Sequence, residues 1–321
     1  MYPTSVKNVE QVCATLATIT ICMVLYLIIF KSSKQIGAYK YLMIYMSLFE
    51  ILYAILNVLS PTQVFTKDSG FLVVLNQDES FFPVRMFNVL FFTMFGTSMA
   101  NFGVHFVFRY FVVIGKTEYT SSTLSNLVMW FICPLTLGSV HTASVVHFMD
   151  KSDILEQFLR FKVMNISLKT KIENLSYMGF YIYPVDKNGK EYVNWNCVIG
   201  VLVISTLITF SISIMLYFGS KCYIGLGNLT RHSTVSQNYR SIQNQLFMAL
   251  VFQTLIPLVL MHLPSSIIAI LCFFNCVTEA FGPMTAVCIA FYPVLDPLPN
   301  IFIIKSYRNA VLGQDRIFRF F

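Results

Sequence analysis

Apolar residues fill this chain in long blocks rather than in the short alternations of a soluble fold. A helix needs about 20 mostly apolar residues to cross a hydrocarbon core about 30 Å thick, at about 1.5 Å per residue. Seven blocks meet that length, roughly Val12–Phe30, Tyr41–Ser60, Met86–Ile114, Leu127–Phe148, Cys197–Gly219, Leu246–Phe274 and Phe281–Ile304. They predict an all-α membrane protein, a seven-helix transmembrane bundle over residues 1–304, with a short tail at 305–321. The first block has no basic leader and no small-residue cleavage site before it, so it reads as an uncleaved anchor. The seventh carries Pro293, Asp296, Pro297 and Pro299 and is the least regular.

Between the blocks the pattern changes. The longest connection, Met149–Asn196, has Asp153 and Glu156 in capping-box spacing ahead of Ile154, Leu155, Phe158 and Leu159. Tyr177–Val185 is aromatic and β-branched, and Asn188-Gly189 suits a tight turn, so a hairpin returning through Glu191–Val193 is expected to fold over the bundle as a lid. After the seventh block Arg308, Arg316 and Arg319 mix with Val311, Ile317, Phe318, Phe320 and Phe321. That mixture predicts an amphipathic helix lying on a lipid bilayer, with Gly313 as an interruption.

Composition agrees. Of the 321 residues 56% are hydrophobic and only 12% charged, about half the charge of an ordinary soluble domain. The net charge of +7 sits in short connections and forms no basic stripe, so no nucleic-acid partner is expected. Its distribution gives an orientation. With the N-terminus outside, the cytoplasmic side gathers Lys31, Lys34, Lys40, Arg109, Lys116, Lys221, Arg231, Arg240, Lys305, Arg308, Arg316 and Arg319 against only Glu118 and Asp315. The sequons at Asn165 and Asn174 fall in the long outer loop, where both are candidate glycosylation sites; Asn228 falls on the inner side. Five of the eight cysteines lie inside apolar blocks and read as small hydrophobes; a Cys197–Cys276 bridge on the outer side is left open.

Ionisable residues within a membrane are costly and therefore candidates for function. Glu50 in span 2 and Asp296 in span 7 fall at similar depth. Either they meet and share a proton or a cation, or each is satisfied separately by hydroxyls and water. Arg109, near the inner end of span 3, either snorkels to the interface or gates an inner cavity. Prolines 257 and 297 are candidate hinges. By depth, Phe91, Phe92, Phe95 and Met99 of span 3 and His262 of span 6 are candidates for a ligand site in the outer half. The scattered histidines make no zinc or catalytic motif, and no phosphate-binding glycine loop is present, so neither enzyme nor cofactor is expected. A seven-helix channel or transporter is the alternative, but no inverted repeat or pair of broken helices supports it.

Four strings, in order along the chain, narrow the reading. They are Gly37-Ala38-Tyr39-Lys40-Tyr41-Leu42-Met43, Val104-His105-Phe106-Val107-Phe108-Arg109-Tyr110-Phe111, Gln243 through Pro257, and Tyr292-Pro293-x-x-Asp296-Pro297-Leu298 followed by Tyr307-Arg308. Together they resemble the nematode Str (serpentine receptor class r) chemoreceptors, with the Srj and Srd families as near relatives. The resemblance implies a receptor for a small odorant or metabolite that activates a heterotrimeric G protein from the plasma membrane of a sensory cilium. It marks His105, Arg109, Tyr110, Lys116, Lys221, Arg240, Pro257, Tyr292, Pro293, Asp296, Pro297, Tyr307 and Arg308 as coupling and switch positions. Phe108-Arg109-Tyr110 stands where rhodopsin-like receptors carry Asp-Arg-Tyr, so the acid of the usual ionic lock is missing here. No cysteine stands at the outer start of span 3 for the usual disulfide.

Overall fold

A computed structural model describes residues 4–59, 62–80, 83–163, 172–186, 188–231 and 236–313. Among them, seven helices are long and apolar enough to cross a membrane. Span 1 is Thr4–Lys31, span 2 Tyr39–Leu59, span 3 Val84–Val113, span 4 Leu124–Met149 and span 5 Trp195–Arg231. Span 6 runs through Gln237–Pro257, a π turn at Leu258–His262, and Leu263–Phe273. Span 7 is Phe281–Leu295 and Leu298–Ile303, broken at Asp296-Pro297. Several helices outrun their apolar blocks: span 1 starts at Thr4 rather than Val12, span 5 ends at Arg231 rather than Gly219, and span 6 starts at Gln237 rather than Leu246. Backbone hydrogen bonding does not stop where the hydrocarbon does, and the added turns are built from helix-tolerant polar residues.

Span 3 is the hub. Its most apolar window is 72% buried, against 22% for span 5. It packs on spans 2, 4, 5 and 6, while span 1 packs on spans 2 and 7. The remaining surface carries large apolar side chains in the open, such as Ile19, Phe30, Leu202, Phe210, Leu216 and Ile270. A continuous apolar belt of this kind fits lipid, not water.

One end of the bundle carries a structure that the helical pattern does not predict. Strands β1 (Gln63–Lys67), β2 (Gly70–Asn76) and β3 (Leu175–Tyr181) form an antiparallel sheet in that order. Lys67 pairs with Gly70 across the β1–β2 turn, and Phe71 pairs with Phe180. The turn is made by Asp68 at φ 54°, one of the few side-chain-bearing residue types that adopt that conformation at low cost. Alternation divides the sheet. Val73, Leu75, Met178 and Phe180 join the core of the bundle. Leu72, Val74, Tyr177 and Tyr181 face away from it and are covered by Leu155, Phe158, Leu159 and Val163.

The expected hairpin is present in its second half. Its return through Glu191–Val193 lies along Ile182–Asp186, where the Tyr192 amide donates to the Pro184 carbonyl at 3.0 Å, the Asp186 amide to Lys190 at 2.9 Å and the Asn194 amide to Ile182 at 2.9 Å, while Tyr177–Tyr181 pairs instead with β2. The Asn188-Gly189 turn is present, with Gly189 at φ 80°. The covering helix, Asp153–Phe158, is capped by Ser152, whose Oγ accepts from the Leu155 amide at 3.3 Å. Asp153 is therefore not the cap, and Glu156 instead accepts from Arg160 at 2.7 Å. The cysteines are all free thiols, so Cys197 and Cys276 are not bridged; Cys197 is buried and Cys276 is exposed.

At the opposite end, which is rich in basic residues, a last helix, Lys305–Val311, follows span 7 and stops before Gly313 at φ 71°. Arg316, Ile317, Phe318, Arg319, Phe320 and Phe321 lie outside the described residues.

Candidate functional site

Beneath the sheet is a cavity of about 100 Å³. Span 3 gives it Phe91, Phe92 and Phe95, span 4 His141 and Val145, span 5 Ile204 and Ile208, span 6 His262 and Ser265, and span 7 Thr285 and Ile289. Phe71 and Val73 of β2 and Phe180 of β3 complete it from the lid. Four of the five expected ligand-site residues thus line one space. Met99 does not; it is 1% exposed and packs in the core. His141, Thr285 and the lid residues were not among the expected positions. A threonine alone in the apolar start of span 7 was a readable signal; the strand residues were not, because their position depends on pairing between distant segments.

The π turn brings His262 to the cavity. Pro257 and Pro264 carry no amide hydrogen, so the α-helical ladder is interrupted on both sides of this stretch. The Leu263 amide donates to Leu258, five residues back. Turns of this kind often stand at functional sites. His262 is 2% exposed, and its ring centroid lies 4.5 Å from that of Phe95.

Midway along the bundle spans 2 and 7 are neighbours, and Glu50 and Asp296 meet there, carboxyl to carboxyl within hydrogen-bonding range. Both are fully enclosed, at 1% and 0% exposure. The structure thus brings the two acids together. Such a contact requires a proton or a cation between the oxygens. Asp296 Oδ2 also accepts from Gln253 Nε2 of span 6 at 3.1 Å, a partner the sequence did not single out. Tyr292, buried beside the pair, packs edge-on against Tyr53 with ring centroids 5.7 Å apart. Pro293 is buried, and Pro297 follows Asp296 at the break in span 7.

At the basic end Arg109 is fully enclosed at 0% exposure. It does not snorkel. Its Nη2 donates to the backbone carbonyl of Gln243 in span 6 at 2.8 Å, and its guanidinium lies 5.1 Å from the centroid of the Tyr39 ring. The Tyr39 hydroxyl is 3.2 Å from His105 Nδ1. Gln243 Nε2 in turn donates to the Gln35 carbonyl at 3.3 Å, between spans 1 and 2. With no acid beside Arg109 in sequence, a carbonyl and an aromatic face take the place of an ion pair. Tyr110 packs on Phe218 of span 5 at 5.5 Å. Lys116 pairs with Glu118 at 3.6 Å, and Lys221 lies over Tyr217. Arg240 is in the first turn of span 6, half-buried. Tyr307 is buried and its hydroxyl is 2.6 Å from Ser32 Oγ; burial pushes it up to about 12. Exposed Arg308 donates to the Phe302 carbonyl at 3.3 Å.

Of the two sequons, Asn165 lies outside the described residues. Asn174 is exposed at the lid end, and its Nδ2 donates to Asp78 at 3.1 Å.

A seven-helix bundle roofed at one end, with a caged arginine between spans 3 and 6 at the other, has the architecture of a multi-pass membrane receptor. The sequence places it further: the chain belongs to the family described as serpentine type 7TM GPCR chemoreceptor Str, which it matches over residues 6–312. It is 33% identical to the Caenorhabditis elegans G-protein coupled receptor str-217 over 313 residues, covering 95% of this chain and 88% of that one. It is 31% identical to serpentine receptor class r-10 of the same organism, covering 92% and 87%. Similarity to serpentine receptor class J-38 is lower, at 22%. The family is one of receptors, not of enzymes.

Proposed function

We propose that this protein is a chemosensory receptor that binds a small uncharged molecule in the cavity beneath the lid and activates a heterotrimeric G protein at the basic end. The lid then faces outward, which agrees with the basic side being cytoplasmic and with a sequon at Asn174. Plasma membrane, and in particular the membrane of a sensory cilium, is the proposed location.

One observation carries the reading. The cavity and the caged Arg109 share two helices: span 3 carries Phe95 and Arg109, and span 6 carries His262 and Gln243. At about 1.5 Å per residue these pairs are separated by about 20 to 30 Å along their helices. A ligand that prefers a different position of the lid-end half of span 6 moves the Gln243 carbonyl through the π turn and releases the guanidinium. Only differential affinity for the two positions can drive this. The freed Arg109, with Lys116, Lys221 and Arg240 around it, forms a basic cleft for the G protein.

The test is expression with a sensory-type Gα and a panel of small volatile and water-borne compounds. Evoked responses are recorded with and without GDP-β-S, and repeated with Arg109→Ala. Loss under both treatments is expected. A ligand-evoked current that survives GDP-β-S overturns the reading in favour of a channel.

A further inference from the structure

The polar atoms facing the cavity carry information about what fills it. Among the described residues no aspartate, glutamate, lysine or arginine lines the space, and most of the lining is aromatic or branched aliphatic. A charged ligand would lose its hydration there with nothing to replace it. The volume of about 100 Å³ is somewhat below the roughly 150 Å³ of an apolar cavity that admits benzene. Its occupant is therefore a compound of about four to six non-hydrogen atoms.

Within this apolar lining two enclosed polar atoms have no partner among the described residues, His262 Nδ1 and Thr285 Oγ1, on residues only 2% and 1% exposed. The other polar groups differ: Ser205 and Ser266 also border the space, but they are exposed rather than enclosed. The Ser265 hydroxyl donates to the Met261 carbonyl at 2.7 Å. His141 Nδ1 also lacks a partner, but that side of its ring lies against Gly96.

The tautomer of His262 follows from its neighbour. Ser98 has one hydroxyl hydrogen, and it goes to the Phe95 carbonyl at 2.8 Å. Toward His262 Nε2, 3.4 Å away, Ser98 Oγ can only accept. Nε2 therefore carries the hydrogen, and in a neutral imidazole the other nitrogen is then a bare acceptor. An acceptor buried without a donor is a standing cost that a ligand can remove. Thr285 can donate or accept and so does not discriminate.

Building on the receptor reading above, we infer that the ligand is a small uncharged molecule bearing a hydrogen-bond donor, a hydroxyl group above all, that it presents to Nδ1 of His262, with Thr285 as its second polar contact. A ketone or ether of the same skeleton sets a lone pair against a lone pair at this nitrogen. It leaves the acceptor unsatisfied and repels it as well.

The experiment uses the full-length receptor purified in detergent or nanodiscs and, in parallel, expressed in cells. The probes are short-chain alcohols, each with the ketone and methyl ether of matched skeleton, such as 2-butanol, 2-butanone and 2-methoxybutane. Binding is read as thermal stabilisation, which needs no G protein, and potency as the evoked response. Alcohols are expected to bind about tenfold or more tightly than their partners. In His262→Phe that preference should fall below about threefold, and in His262→Gln, which restores an acceptor, it should return in part. Equal or better binding of ketones and ethers to the wild type overturns the inference, as does an alcohol preference that survives in His262→Phe, or no stabilisation by any alcohol. Alcohol binding without G-protein output would instead sink the coupling reading and leave this inference standing, and a ketone-driven response would do the reverse.

Discussion

Arg109 is the residue on which the proposed closed state turns. A guanidinium enclosed without a carboxylate is unusual, and its neutral partners make the cage easy to open. The Tyr39 ring contributes about 1 kcal/mol as a cation–π face. Tyr39→Leu should therefore raise ligand-independent activity about fivefold, read as basal GTPγS binding in membranes. Unchanged basal binding would mean that the ring is only packing. At Glu50 the two obvious substitutions should part. Glu50→Gln keeps a donor toward Asp296 and should fold with a melting temperature near that of wild type. Glu50→Ala leaves the Asp296 carboxyl facing a void and should cost about 1–3 kcal/mol, or several degrees, by thermal shift in nanodiscs. The sequence placed Glu50 and Asp296 at one depth, because depth follows from residue count; it could not pair them, because which helices are neighbours is a property of the bundle. Gln253 escaped notice because an amide in a membrane helix carries no charge to draw attention.

The lid shows how two elements far apart in sequence make one structure. Its seam to span 7 is tight. The Thr66 hydroxyl donates to the Thr278 carbonyl at 2.7 Å and accepts from the Gly282 amide at 2.9 Å. A Cβ at Gly282 would meet the Val64 carbonyl. Gly282→Ala should lift β1 from the bundle, lower thermal stability and speed ligand release severalfold, measured by dissociation kinetics. A second tie joins the π turn that follows the covering helix, Leu159–Val163, to the β1–β2 turn through Lys162 and Asp68 at 2.7 Å. The hydrogen bond from Lys162 to Asp68 raises the lysine above its ordinary value. A raised folded value stabilises at every pH below the ordinary lysine range of about 10.4 and is lost as pH climbs through the raised value. With both side chains more than a third exposed, the tie contributes under about 1 kcal/mol. The stability gap between wild type and Lys162→Met should thus be small and constant from about pH 6 to 9, and should vanish in strong alkali. Spans were legible because twenty apolar residues in a row allow only one reading. The strands were not, since five to seven alternating residues resemble a loop until their partner is known; Asp68-Ser69-Gly70 between β-branched runs was the missed cue. Ser152, not Asp153, caps the covering helix because either residue type suits the position.

Across the whole molecule, the proposed coupling between the lid end and the basic end runs along spans 3 and 6. If Asn174 lies outside, as the proposed orientation requires, Asn174→Gln should remove one glycan, seen as a mobility shift that glycosidase treatment of the wild type reproduces; an identical mobility would remove that support for the orientation. The distribution of basic residues makes this proposed end-to-end polarity readable from the sequence. The cavity itself was only half legible: its aromatic floor follows from depth on span 3, while its roof depends on strands from two different loops.

The π turn in span 6 has an evolutionary corollary. It holds one residue more than an α-helical turn would, so the helix on either side keeps the face it would have without that residue. Deleting a residue elsewhere in the span would swivel one half against the other by about 100°. Deleting one between Leu258 and His262 would merely close the turn, leaving Gln243 on its face and Cys272 on its own while withdrawing the histidine. On the ligand reading inferred above, a single lost codon would thus exchange one chemical appetite for another without re-engineering the bundle.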